Sequence, residues 1–378
     1  FREHVHFVDL VPVSSNAALV EMVAEIVGAR RQPGMDLVDS IADYLAGRRT
    51  LLILDNCEHL IAEVREFVHR LVDVDGVHIL ATSREALGVP DEQQIIVSPL
   101  DVMTAGVELF VDRARRREHR FELNADNEAG VRAVVRHLDG IPLAIELAAA
   151  RIRLMTPAEI ADRLGSGIDV LDRGVRGGRH ETMRDTIRWS FNLLEPAEAQ
   201  LFVRSSVFAG GFDLDAAAAV CADDPLVTGS DVPQLIMTLL DKSMIDSTDV
   251  GGRQRFRMLE PLREFASDEL LESGDTQRYR ARHATFYLAL AQRESDRFFS
   301  PAEPDVWRVL DVEWSNFRTA LDTFERAGDL DSGAELVMAL VWFAAMSMRF
   351  EVFGWAAELL DAPGVERHPR FWYLWGAN

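Results

Sequence analysis

Leu51-Leu52-Ile53-Leu54-Asp55 constrains the fold of this chain more than any other segment. A short run of branched apolar residues closed by a carboxylate suits a strand, and its lack of polar alternation suits a strand buried in a parallel sheet. VHFVDL (5–10), VHILATS (77–83) and QQIIV (93–97) read as three further strands. Amphipathic patterns predict helices between them over Asn16–Val27, Leu37–Leu45 and about Glu58–Val72. That order predicts an α/β layer over 1–100, a parallel sheet covered by helices on both faces.

An acidic residue at the carboxyl end of a parallel strand lies on the rim where such sheets bind ligands, so Asp55 is a candidate for holding Mg²⁺ through water beside nucleotide phosphates. In that reading LLILD is a Walker B strand. The alternative for Asp55 is a helix N-cap. Glu58 could polarise a water, or simply face a helix dipole in the first turn. Arg84 directly follows VHILATS; if that strand neighbours LLILD, its guanidinium reaches the same rim and can contact a terminal phosphate, the alternative being a surface ion pair. The glycine-rich loop ending in Gly-Lys-Ser/Thr that cradles phosphates is absent, and Lys242, the sole lysine, lies in Leu-Asp-Lys-Ser-Met with no glycine near it. Cys57 and His59, two apart, share no helix face and make a poor nucleophile or metal pair.

Beyond residue 100 the pattern turns helical, with helices predicted at 104–119, 126–138, 142–153 and 157–164 and a linker at Gly174–Arg179. In HLDGIPLAIELAAAR (137–151), Gly140 ends one helix and Pro142 opens the next, a turn that brings backbone close to a ligand and offers a flat proline face to a base. Residues 182–272 read as four helices, strands SMIDST (243–248) and RQRFRM (253–258) joined by a glycine-containing turn, and a helix, which is a winged-helix order. From 278 paired helices carry six of the seven tryptophans, as in a helical-repeat solenoid. The predicted domains are therefore 1–100 (α/β), 101–173 (helical), 180–273 (winged helix) and 278–378 (tetratricopeptide-like helices).

A net charge of −22 argues against a chain that grips nucleic acid by its phosphates. Residues 185–265 hold 13 acidic and 7 basic side chains, a net of −6, so the winged helix reads as regulatory and no direct nucleic-acid contact is expected. The five arginines of RARRREHR (113–120) read as a solvated helix face. Two cysteines make no disulfide framework and fit a cytoplasmic protein. The longest apolar run, Leu336–Met346, reads as a buried helix, so no membrane partner is expected. The first residue is Phe1, which suggests a piece of a longer chain.

LLILDNCEHL, ILATSREALGV, LDGIPLAIELAAAR, TIRWSFNLLEP, SVFAGGFDLDAA, LLDKSMI and RFRMLEPLREFA, in that order, resemble the NB-ARC-type module of STAND ATPases in large bacterial transcriptional regulators, of the kind linked to LuxR-type, SARP-type or nucleotidyl-cyclase domains. The resemblance covers about 5–272, with a looser likeness beyond 280. It implies a P-loop NTPase-like α/β domain whose first strand and P-loop precede Phe1, the missing strand neighbouring LLILD and VHILATS. It implies ATP or ADP with Mg²⁺ as cofactors, Asp55 as the Mg²⁺-linked aspartate, Arg84 as the phosphate sensor and Pro142 as the adenine contact, with Gly140 beside it. Asn56 stands where many relatives have a catalytic acid, leaving Glu58 as the nearby substitute. Leu259-Glu260 stands where relatives have His-Asp, and Leu259 cannot reach an ADP phosphate as that histidine does.

The expected function is an ATP/ADP-dependent signal-transduction switch in a transcriptional regulator. A protein partner or inducer would meet the C-terminal helices, and self-association would follow activation. This segment alone should bind nucleotide poorly, turn over no ATP and be marginally stable. The alternatives are a scaffold carrying a non-catalytic ATPase remnant, or a winged-helix DNA-binding protein.

Overall fold

The computed structural model describes residues 4–168 except 12, 14 and 15, residues 179–361 except 224, 348 and 350, and residues 365–367, 369 and 371. Two compact units divide the chain. One comprises Phe1–Ile96 and Tyr287–Asn378, the other Val97–Phe286.

The first unit begins with β1 (Val5–Asp9), α1 (Asn16–Val27), α2 (Leu37–Leu45), β2 (Thr50–Asp55), a 3-10 turn (Cys57–Leu60), α3 (Ile61–Leu71) and β3 (Val77–Ala81). The strands are parallel in the order β1-β2-β3. Asp36 starts α2 by accepting a bond from the Asp39 N–H at 2.8 Å. One sheet face buries Val8, Leu52 and Leu54 against Leu19 and Val23 of α1, Ile41 of α2 and Val64 and Phe67 of α3.

Three expectations fail in this layer. Only one sheet face is covered among the described residues. On the other, the register lines up Phe7, Ile53 and Leu80 in one row across the three strands, with Phe7 56% and Leu80 48% exposed. QQIIV forms no strand, and Ile95, Ile96 and Val97 are 83%, 82% and 86% exposed. A strand exists only through a ladder partner, and this segment pairs with none of the described strands, although the outer edges of β1 and β3 are open. Finally, the sequence expects a further strand beside LLILD, whereas among the described residues β2 pairs with β1 on one edge and β3 on the other, and the open edges are the outer ones of β1 and β3.

In the second unit α4 (Ala105–Arg117), α5 (Glu128–His137), α6 (Pro142–Ala149) and α7 (Pro157–Ile168) enclose Phe110, Val131, Val135, Ile145, Ala148 and Ile160. Residues 174–178 of the expected linker lie outside the described residues. There follow α8 (Arg179–Phe191), α9 (Pro196–Arg204), α10 (Leu214–Cys221), α11 (Val232–Asp241), the antiparallel strands β4 (Asp246–Val250) and β5 (Arg253–Arg257), and α12 (Glu260–Glu272). Glu195 and Glu198 form a capping box at the start of α9, and Asp213 caps α10 by accepting from the Ala216 N–H at 2.8 Å. The first strand of the hairpin begins three residues later than the sequence suggests. Ser243 there takes a left-handed conformation (φ 56°) and ends the turn after α11. Reciprocal backbone bonds between Phe212 and Phe256, 2.9 and 2.8 Å, dock the hairpin.

The chain then supplies α13 (Thr276–Asp296), α14 (Glu303–Val312), α15 (Trp314–Ala327), α16 (Leu330–Ser347) and α17 (Glu351–Leu360). Trp314 stacks on Trp355 at 5.5 Å and meets Phe343 at 5.6 Å. Trp372 and Trp375 lie outside the described residues. Among the described residues α16 alone is long and apolar enough to cross a membrane. Its Leu336, Val337, Leu340 and Phe343 are buried, and it packs between α15 and α17, as a core helix does.

Candidate functional site: the carboxyl rim of the sheet

Parallel strands end on one rim, and there β2 delivers Asp55 beside Asp9 of β1, with which it is in register. The chain leaves β2 sharply: Asn56 adopts a left-handed conformation (φ 64°, ψ 55°) and opens the 3-10 turn without a side-chain cap bond. Asp55 does not cap a helix. Its Oδ1 accepts from the Thr82 hydroxyl at 2.5 Å, while the Thr82 oxygen accepts from the Asn56 N–H at 2.9 Å. Cys57 N–H donates to the Thr82 carbonyl at 3.0 Å, and Thr82 N–H to that of Leu54 at 2.9 Å. Thr82 thus ties the end of β3 to the end of β2 and orients the carboxylate.

Arg84 reaches the same rim, because β3 does neighbour β2. Its Nε lies 2.8 Å from Glu58 Oε1 in a partly exposed ion pair. The rim thus carries two pairs from the same two segments, Asp55 with Thr82 and Glu58 with Arg84, and Asp9 lies in register with Asp55. Asp9 Oδ1 accepts from the Val11 N–H at 3.0 Å. Thr82 and Asp9 were not singled out from the sequence. The signal for Thr82 was a hydroxyl directly after the third strand, but its partner could be named only once the β2–β3 register was known.

Cys57 is fully buried, its Sγ 3.5 Å from the Leu54 carbonyl, and burial pushes its thiol up to about 12. That excludes a thiolate nucleophile at neutral pH. His59 Nε2 lies 2.9 Å from the Val13 carbonyl oxygen. Among the described residues no group of three His, Cys, Asp or Glu side chains is arranged to hold a metal ion. One carboxylate beside a hydroxyl still fits Mg²⁺, which keeps most of its waters and takes few protein oxygens. Arg84 offers one cation to a phosphate, but no glycine-rich loop and no lysine accompany it in the sequence.

Gly140, Pro142, Leu259 and Glu260 belong to the other unit. Gly140 has φ 69°, and a Cβ there would collide with the Leu100 carbonyl oxygen; the Leu100 N–H in turn donates to the Gly140 carbonyl at 2.9 Å. The close backbone approach at this turn is thus made with the chain's own Leu100. Pro142 opens α6 with its ring exposed. Leu259 is the N-cap residue of α12, and Glu260 pairs with Arg263 at 2.7 Å. Most of the arginine run is engaged within the chain: Arg113 pairs with Glu146 at 3.0 Å, and Arg117 donates to the Leu240 carbonyl at 2.6 Å.

No family model matches the chain. It is 38% identical over 368 residues to the putative HTH-type transcriptional regulator Rv0890c of Mycobacterium tuberculosis, covering 95% of this chain and 41% of that protein. Regulatory protein AfsR of Streptomyces griseus is 30% identical over 400 residues, 96% of this chain and 39% of AfsR. The chain thus spans about two-fifths of the length of these regulators. Among solved structures, the STAND protein PH0952 of Pyrococcus horikoshii, with its tetratricopeptide repeat sensor, covers 98% of this chain and 60% of its own, at 12% identity and a TM-score of 0.44, a likeness too low to carry an argument. The uncharacterized protein Rv0894 of Mycobacterium tuberculosis is 37% identical over 279 residues, 73% of this chain and 71% of that protein. At that identity and coverage, the chain belongs to the same family as Rv0894.

Proposed function

We propose that this chain is the signal-transducing segment of a bacterial transcriptional regulator and works as a nucleotide-dependent switch of the STAND type. The observation that carries the reading is the rim cluster, in which Asp55 is oriented by Thr82 and Arg84 stands within reach of the same edge. The identity to Rv0890c and AfsR over nearly the whole chain supports the regulator part. In this reading Asp55 holds Mg²⁺ through water, Arg84 senses the terminal phosphate, and Pro142, beside the fixed Gly140 turn, offers its ring to adenine. Residues 180–273 act as a winged helix that responds to the nucleotide, and the helices from 278 onward receive a protein partner or inducer. Exchange of ADP for ATP shifts the balance between two arrangements of these domains, by as much as the nucleotide's differential affinity for them.

Glu58 adds a refinement. With Asn56 following Asp55, Glu58 is the nearest candidate to polarise water, yet it is paired with Arg84. A terminal phosphate that draws Arg84 away would free Glu58, so Glu58 would become available to polarise water only once Arg84 is engaged.

Calorimetric titration tests the reading. Mg-ATP is expected to bind 1–378 more weakly than micromolar, since the chain has no phosphate cradle. In a longer protein that joins this chain to a P-loop, Arg84→Ala should erase the difference in response between ADP and ATP. Identical responses of wild type and variant would favour a scaffold without a working switch.

A further inference from the structure

We propose that the second unit holds, in its interior, a binding site for a small monovalent anion of the halide class, formed by the guanidinium of Arg151 and the hydroxyl of Ser190. Arg151 lies in the turn directly after α6 and is 1% exposed; Ser190, in α8, is 0% exposed. The two helices pack on each other. Arg151 Nη2 donates to the Ser190 carbonyl at 3.2 Å, the one bond its side chain makes among the described residues. Its Nε and Nη1 have no hydrogen-bond partner there, and neither has Ser190 Oγ. A guanidinium presents two forked edges, Nε with Nη2 and Nη2 with Nη1. The Ser190 carbonyl takes one Nη2 hydrogen, which leaves the other edge as a fork of two parallel N–H groups, the arrangement that anions accept from arginine. Ser190 Oγ, on the same residue as that carbonyl, brings a third donor to the neighbourhood.

The surrounding charges favour such a ligand. Glu198 of α9 is the carboxylate that acts on Arg151, and it is engaged elsewhere. Its Oε2 accepts from the Glu195 N–H at 2.9 Å and pairs with Lys242. Arg117 adds a further positive charge, its own donors directed at the turn after α11, to the Leu240 carbonyl at 2.6 Å and Ser243 Oγ at 3.1 Å. Burial above all pulls Arg151 down to about 10, Glu198 opposing and Arg117 assisting, so the group remains a cation at neutral pH. A buried cation with unmade hydrogen bonds is strongly unfavourable, and a counter-ion on the free fork relieves both the charge and the bonds. Phosphates and carboxylates need more room than atoms with almost no exposure leave, whereas a halide is close to a water molecule in size. The bound anion joins the end of α6 to α8, and so ties the helices of 105–168 to the segment that α8 begins. This site is independent of the nucleotide reading of the sheet rim.

Thermal unfolding of the whole chain at fixed pH and ionic strength, with gluconate replaced stepwise by chloride, tests the site. The unfolding temperature should rise with chloride and level off as the site fills, and bromide should substitute for chloride. Arg151→Met keeps an apolar stem without the charge and should flatten the curve. Ser190→Ala removes only the third donor and should raise the half-saturating chloride concentration about tenfold. Arg113→Met, which breaks the partly exposed pair with Glu146, should follow wild type. Crystals grown with bromide should show its anomalous signal between Arg151 and Ser190. An unfolding temperature indifferent to chloride, a rise that persists in Arg151→Met, an unshifted Ser190→Ala curve, or no bromide between the two residues would overturn the proposal.

Discussion

Gly140 shows what a single residue can decide. Its left-handed backbone and the Leu100 carbonyl leave no room for a Cβ. Gly140→Ala should cost roughly 2–3 kcal/mol in urea unfolding, from strain and the displaced Leu100 bond together. Thr82 is the opposite case, a residue whose neighbours tolerate change but whose role is specific. Thr82→Val removes one bond to Asp55 and one from Asn56, for at most about 1 kcal/mol at this exposed site, measurable in the same way. Arg84→Ala breaks only a partly exposed ion pair and should change stability by less than about 1 kcal/mol, so any lost nucleotide response in that variant reports on function. Asp55 and Arg84 were legible from the sequence because each follows directly on an apolar strand. Thr82 was not, because its partner lies 27 residues away and is set by strand register.

Elements were read well where local pattern is sufficient. The predicted bounds of α1 and α2 match, since amphipathic spacing and, for α2, an aspartate cap are contained within each segment. QQIIV failed because β-propensity describes a willingness to pair, and pairing needs a partner. The same logic left one sheet face open: continuous apolar strands imply cover on both sides, and the described helices supply it on one. Phe7→Ser combined with Leu80→Ser should therefore leave the unfolding midpoint nearly unchanged while reducing self-association in light scattering, because contiguous exposed apolar side chains favour contacts between molecules. Leu336 on α16 offers the contrast. It is fully buried, and Leu336→Ala should destabilise by roughly 2–5 kcal/mol in chemical denaturation.

At the scale of the molecule, the first unit is assembled from both ends of the chain, residues 1–96 and 287–378, and the span between them forms a second unit. The C-terminal helices thus meet the α/β layer directly, through the ion pair of Arg349 and Glu25.

By itself the sequence determined the parallel strands, the carboxylate and arginine on their rim, the helical character of the chain beyond residue 100 and the hairpin between α11 and α12. All of these follow from periodicities and turn residues spanning a few positions. Only the tertiary structure decided that LLILD has no free edge, that Thr82 orients Asp55, that Glu58 holds Arg84 and that α1 meets the C-terminal helices through the ion pair of Glu25 and Arg349. Those features depend on register and packing between segments distant in the chain, which no local pattern records.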